Sequence, residues 1–596
     1  MHSRTAAWLS TLATFALGAA TMIAVADDAT PRAPLPNSDF YPGRDAQVAG
    51  PFHGVLDITQ TKLATRPRLL DPMQQGRDAR LFPGVRLEFF TLGDQLVPVA
   101  RGEIVAESAP GAVRSYWSVI PQFGRIWREP GDGAWSRGAF PLMLVNDTEN
   151  AAHQGLALFR YRAGRVSHLR LQFVQESAPY VLKQHFVAWG SAPMHLAAAQ
   201  LRDLRAARAG AAAELAARLP AQPLSALLAR LPAGTLDGFG GPVLPQWRVE
   251  TALVDHGILY YQPSATPYGP YPYPLEMRFG VRSIMKSVGP PLALLRLAKL
   301  YGPWVLDLKI GDYVAGLDPK WRTVRFRDAA DMASGFGGVG SLRTRPNDLF
   351  DGYLQGDYDA WYLAPSYAEK IAQIDAHLRP YPWAPGTVVR YRDQDMFLLG
   401  AALDHFLKSM RGPNADIWDM LRAEVFAPIG IFHAPAVRTI EAHGRRGLVW
   451  FNAGYYPTLD DLAKIARLYS DLGAHDGRQI LDRPLTAALM AARGALPKTG
   501  DLSGGALGRA AAAGEPPSAQ GLYEMGFHFQ PFVPTPGRPA VELPTMFGSG
   551  ENEVVIYPNG MISLVMAKAA ELPPGAKAKS DRGPETLRAV YRLAPF

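Results

Sequence analysis

The sequence contains no cysteine. That absence excludes disulfides, thiol catalysis, thiolate zinc sites and a lipid-modified cysteine. If the chain is exported, core packing alone must hold it together. Charge of one sign is also scarce: 61 basic residues face 54 acidic ones, and the net charge of +7 is spread along 596 residues. No Lys/Arg run interleaves with aromatics, which leaves nucleic-acid binding without support. The 13 histidines form no H-x-x-x-H pair, so no metal site is expected. Beyond the first 26 residues no run is apolar enough to cross a bilayer, and no internal repeat is visible.

What is present is a globular composition, 48% hydrophobic and 19% charged, sufficient for large cores and unlike a disordered chain. The length exceeds one ordinary domain, so two or more are expected. The N-terminus has a basic start, an apolar run and a small-x-small site at Ala24-Val25-Ala26. It reads as a signal peptide over 1–26, with an uncleaved membrane anchor as the other reading. The expected location is periplasmic or secreted. Residues 27–190 read as a β-rich accessory domain with a Pro-rich leader to about residue 50. Leu87 to Phe90 and Ser115 to Ile120 look like strands. Leu156 to Arg162, Ala163-Gly164, then Arg165 to Phe173 looks like a hairpin, with Leu169, Leu171 and Phe173 alternating against Arg170 and Gln172. No catalytic constellation is found there; substrate, cell envelope or a partner are all open as its ligand. Residues 191–245 read as a helical linker punctuated by Pro and Gly, and 246–596 as a second domain of alternating strands and helices.

The chemistry-bearing stretch is Ser283-Ile284-Met285-Lys286. Taken alone, S-x-x-K is also what a helix start with a solvated lysine looks like. On a helix, however, i and i+3 share a face, so Lys286 can bring its amine to Ser283 Oγ. A buried lysine loses its proton more readily and can act as a base. Pro290 and Pro291 follow closely, so the helix should kink or restart there.

Further stretches follow in order: helix-like Pro291 to Gly302, Val305 to Val314, Val324 to Gly335, then Pro385-Gly386 ahead of Tyr391-Arg392-Asp393 and Leu398-Leu399-Gly400, Phe426 to Gly430, and Thr458 to Tyr469. This ordered series, over about 250–596, resembles the serine β-lactamase and penicillin-recognising superfamily. It looks most like the class C β-lactamase and esterase branch, which includes family VIII esterases, D-aminopeptidases and 6-aminohexanoate-dimer hydrolases. The resemblance implies an α+β fold, with an antiparallel sheet flanked by helices plus a helical subdomain. It implies that Ser283 is the nucleophile and that Lys286 and Tyr391 relay the proton. No cofactor is implied.

The family's third motif, Lys-Thr-Gly or His-x-Gly on a strand, has two candidate places. Lys498-Thr499-Gly500 spells it literally, but no strand-like sequence frames it. Met546-Phe547-Gly548-Ser549-Gly550 lies between strand-like runs, and in this register the backbone N–H groups of Ser283 and Ser549 would form the oxyanion hole. Here the motif's cation is missing, with Met546 and Phe547 in its place, and Asp393 stands where the family has Asn. Removing a cation and adding an anion makes the site less welcoming to a substrate carboxylate. Asp393 near Lys286 would also hold the amine charged and oppose its use as a base, shifting that role toward Tyr391.

The expectation is an exported serine hydrolase cleaving a small ester, amide or peptide through an acyl-enzyme on Ser283. The alternatives are a penicillin-binding D,D-peptidase or β-lactamase-like enzyme, and a decayed hydrolase that serves as a binding protein. The Tyr- and Pro-rich stretch Tyr261 to Pro274 reads either as a rigid connector or as an aromatic pocket wall.

Overall fold

The computed structural model describes residues 31–241, 245–338, 357–381, 383–497, 522–569 and 585–596. They form an α+β structure built on two large sheets. The first has 12 strands, with Met194–Ala197, His53–Ile58, Val85–Leu92, Gln95–Pro98, Gly124–Trp127, Ser136–Val145, Ala152–Arg162, Leu169–Glu176, Val187–Ala192 and Ala64–Arg66 side by side. The expected hairpin is present. Ala152–Arg162 turns at Ala163 and Gly164, both with positive φ (46° and 77°), and returns as Arg165–Val166 and Leu169–Glu176. This is the backbone a tight turn between twisted strands requires.

Leu169, Leu171 and Phe173 are buried as the alternation predicts, but Gln172 is buried too. Its amide donates to Leu35 O at 3.2 Å and to Asn37 Oδ1 at 2.8 Å. The described part of the Pro-rich leader folds a short turn at Asn37–Phe40 over that face of the sheet. A polar side chain is tolerated in the interior because its hydrogen bonds are met.

The second sheet has nine strands in the order Ala221–Pro223, Ile258–Gln262, Arg248–Asp255, Ile562–Ala567, Asn552–Ile556, Val541–Gly548, Phe527–Phe532, Leu522–Glu524 and Leu496–Pro497. All neighbours are antiparallel except the first pair. Strand periodicity divides it between two cores. Leu253, Leu543 and Val555 face one that holds the helices Leu224–Leu228 and Glu585–Leu593; Ala252, Val254, Val554 and Ile556 face the main core. Over the main core lie Pro290–Tyr301, Asp393–Arg411 and Leu459–Ser470, the last begun by a capping box of Thr458 and Asp461.

The stretch 191–245 is not only helical. Met194–Ala197 completes an edge of the first sheet, Leu204–Ala216 is a helix, and Ala221–Pro223 joins the second sheet. The two sheets also share a core: Ala139, Met143 and Val145 of the first pack into the same cluster as Val281, Ile284 and Met285. The Tyr-rich stretch is a connector between them. Tyr271 and Tyr273 are buried, and their hydroxyls donate to Gly155 O and Phe40 O, both at 2.8 Å. Among the described residues no helix is long and apolar enough to cross a membrane. The expected signal segment 1–26 and the literal Lys498-Thr499-Gly500 lie outside the described residues.

Candidate active site

Ser283 sits in a single 3-10 turn, Arg282–Ile284, that runs into the short helix Met285–Val288. The helical spacing places Lys286 Nζ 2.5 Å from Ser283 Oγ. Ser283 is half-buried and Lys286 is only 1% exposed. The helix stops at Gly289 and restarts at Pro290, where a residue without an N–H does no harm to a first turn.

Lys286 is surrounded. Its ammonium also donates to Asn452 O at 2.9 Å, pairs with Asp393 Oδ1 at 2.7 Å and lies 4.8 Å from the Tyr391 ring centre. Burial pulls the lysine pKa down, but the Asp393 carboxylate and the Tyr391 oxygen outweigh it and hold the amine above the ordinary lysine value. The charged form is therefore the resting state, and in that form Lys286 donates to Ser283 rather than accepting its proton.

Asp393 is the first residue of the helix Asp393–Arg411, and Tyr391 stands just before it. The carboxylate is fixed on its other oxygen as well: Tyr358 Oη donates to Oδ2 at 2.6 Å and Asn452 Nδ2 approaches it at 3.5 Å. Ser283, Lys286, Tyr391 and Asp393 thus converge on one buried amine. Tyr358 and Asn452 were not singled out from sequence. Neither stands in a motif, and each arrives from a segment distant from both Ser283 and Tyr391.

The strand Val541–Gly548 runs against the turn that carries Ser283. A Cβ on Gly548 would lie 2.1 Å from Val281 O, so the strand comes this close only because the residue has no side chain. Ser549 follows in the turn to Asn552–Ile556; it is half-buried, and its carbonyl accepts from Asn552 Nδ2 at 2.9 Å. Gly548 therefore adjoins Ser283's turn, with Ser549 as the next residue. Met546 is fully buried in the main core, and Phe547 is half-buried near His528, with ring centres 5.9 Å apart. His528, on Phe527–Phe532, is a further residue that sequence reasoning missed. Its ring centre lies 6.0 Å from that of Tyr391 and 5.1 Å from that of Tyr523. Strand pairing across to Thr545 is what delivers it, and no local pattern marks that. Among the described residues no three His, Cys, Asp or Glu side chains group as a metal site.

No family model matches the chain, and no curated protein matches it. Solved structures to which it is similar include the octameric penicillin-binding protein homologue from Pyrococcus abyssi, at 16% identity over 62% of this chain and 76% of that one, TM-score 0.39. Another is a class C β-lactamase, at 13% identity over 60% and 94%, TM-score 0.38. A third is a D-stereospecific amidohydrolase from Streptomyces sp., at 13% identity over 56% and 95%, TM-score 0.37. What the site can do follows from its own geometry.

Proposed function

We propose that this protein is a serine hydrolase that cleaves an ester or amide through an acyl-enzyme on Ser283. The observation that carries the reading is the 2.5 Å approach of a buried lysine to the hydroxyl of the half-buried Ser283, with Tyr391 beside the same amine. In molecules whose Tyr391–Lys286 pair has first released one proton to solvent, Ser283 Oγ bonds to the substrate carbonyl carbon while its own proton passes into that pair. The proton then goes to the leaving oxygen or nitrogen as that bond breaks. Water then adds to the acyl carbon and gives one proton to the pair, and that proton goes to Ser283 Oγ as its bond to the acyl carbon breaks. Backbone N–H groups at Ser283 and Ser549 hold the developing oxyanion. Because Asp393 keeps Lys286 charged, Tyr391 takes the larger share of the base role. No cation stands at Met546 or Phe547, and Asp393 adds a negative charge, so the site suits a neutral or cationic acyl donor over one that needs its carboxylate held.

The Lys286–Asp393 pair also favours a second reading, a decayed hydrolase that binds without turnover, because a fully charged lysine is a poor base. Intact-mass spectrometry separates the readings. A fluorophosphonate adduct that disappears in Ser283→Ala, with no penicillin adduct, supports the ester or amide hydrolase. A stable penicillin adduct moves the function to a penicillin-binding peptidase or β-lactamase-like enzyme, and no adduct with either supports the binding protein. We infer further, from the apolar run within 1–26, that the chain is exported to the periplasm or beyond; association of the β-rich region with the cell envelope belongs to the same proposal.

A further inference from the structure

The β-rich region reaches the nucleophile itself. Arg282, the residue before Ser283, has φ of 52°, a left-handed conformation that a bulky residue keeps only when its surroundings enforce it. Its N–H donates to Asn150 Oδ1 at 2.6 Å, and Asn150 Nδ2 donates to Tyr455 O at 3.1 Å. Asn150 is fully buried, in the loop between the strands Ser136–Val145 and Ala152–Arg162. Its backbone carbonyl presses on Gly280, where a Cβ would lie 2.1 Å away. Gly280 N donates to Ser177 Oγ at 3.1 Å, Gln154 Nε2 donates to Arg278 O at 2.9 Å, and the Arg282 guanidinium donates to Ala178 O at 2.6 Å. Each of these contacts made directly on 278–282 comes from the first sheet or from the loops that leave it, while Tyr456 O, Asp461 and Pro457 O hold Arg278 and Phe279 from the other side.

We propose that Asn150 is a positioning residue for Ser283: it holds Arg282 in the left-handed turn that aims Ser283 Oγ, which makes the β-rich region a working wall of the active site rather than an appended module. The proposal rests on the reading of Ser283 as the nucleophile. Its physical basis is twofold. The Arg282 N–H is buried and needs an acceptor. A reacting atom displaced by about 1 Å can lose roughly 100-fold in rate.

The test compares the full-length wild type with Asn150→Ala, Asn150→Asp, Ser177→Ala and Ser283→Ala. It measures the second-order rate of fluorophosphonate labelling and the hydrogen exchange of the 278–284 amides, each under conditions where the variant is folded. Asn150→Ala is expected to label about 10- to 100-fold more slowly and to exchange faster at Arg282. Asn150→Asp keeps the acceptor oxygen but loses the donor to Tyr455 O. It is expected to regain most of the labelling rate while its melting temperature stays as low as that of Asn150→Ala. A merely structural role would move rate and stability together, and that outcome overturns the proposal, as does wild-type labelling in Asn150→Ala. Should Asn150→Ala fail to fold, Ser177→Ala decides: a several-fold slower rate supports the clamp and an unchanged rate overturns it. A wild type that labels no faster than Ser283→Ala overturns the hydrolase reading instead, and the exchange at Arg282 still shows whether Asn150 holds the turn.

Discussion

Lys286 and Asp393 form a buried ion pair, with Nζ 2.7 Å from Oδ1 and side chains 1% and 5% exposed. The pair has two separable consequences. For stability, removing one member leaves the other charge buried and alone, a loss of about 3–5 kcal/mol; Asp393→Ala should show it in denaturant unfolding at neutral pH. The lysine pKa is raised, so its contribution to stability is fully present below the ordinary lysine value and disappears only as pH rises through the still higher folded value. Neutral pH is inside the stable window.

For activity, Asp393→Asn removes the charge that holds Lys286 protonated, while the amide oxygen can still accept from Lys286 and the amide NH2 can donate to Tyr358 Oη. More of the amine is then neutral at a given pH. The rising limb of the pH–rate profile should move to lower pH. A profile that stays where it was would count against Asp393 as the group that sets the lysine's charge.

Gly548→Ala tests the closeness of the strand Val541–Gly548 to the turn that carries Ser283. The added methyl meets the backbone carbonyl of Val281 at 2.1 Å and lies 3.3 Å from Ile284 N. Neither contact is a side chain that could swing away. The strand must retreat from Ser283, taking Ser549 with it. Expected results are a loss of about 1–3 kcal/mol of stability from overpacking and a fall in kcat of roughly 100-fold, the cost of one misplaced oxyanion donor. Wild-type kcat in this variant would remove Gly548-Ser549 from the site.

The parts of the site legible in the sequence are those whose geometry is local. Ser283 and Lys286 meet because i and i+3 share a helix face. The hairpin at Ala163-Gly164 was readable for the same reason. Tyr391, Asp393 and Gly548-Ser549 are assigned to the site only through the family resemblance, and the start of one helix is what carries Tyr391 and Asp393 together. What could not be read are contacts made only by tertiary packing. Tyr358, Asn452 and His528 reach Asp393, Lys286 and Tyr391 from three unrelated segments. Gln172, polar and expected to face solvent, is buried because the leader folds over it. The placement of Asn150 against Arg282 depends on two sheets sharing one core, which no periodicity within either sheet encodes.

Asp395 lies two residues beyond Asp393 on the same helix and is fully buried. Burial pushes its pKa up to about 7, against the opposing hydrogen bond from Ser334 Oγ at 2.9 Å and the charge of Arg392. The folded protein therefore keeps a proton that the unfolded chain has already lost. This residue costs stability progressively as pH rises from about 4 to about 7, and the full cost persists above that. Asp395→Asn removes the titration and preserves an acceptor for Ser334. Its unfolding free energy relative to wild type should grow by about 2–4 kcal/mol between pH 4 and pH 8. Parallel pH curves for the two proteins would show that Asp395 does not hold its proton.

His528 brings an imidazole to the phenol proposed as the principal base. Its ring centre lies 6.0 Å from that of Tyr391, inclined at 36°, and edge-on to Tyr523 at 5.1 Å. Two roles are consistent with that placement: packing that fixes the tyrosine ring, or an electrostatic influence on its proton transfer. His528→Phe separates them, since it keeps an aromatic ring among Tyr391, Tyr523 and Phe547 but removes both nitrogens. If the imidazole tunes Tyr391, kcat should fall about tenfold or more with KM little changed, because the loss is confined to proton transfer in the transition state. The pH–rate profile should change shape in the same variant. Equal kcat and an unaltered profile would assign His528 to packing and leave Tyr391 and Lys286 as the whole of the proton relay.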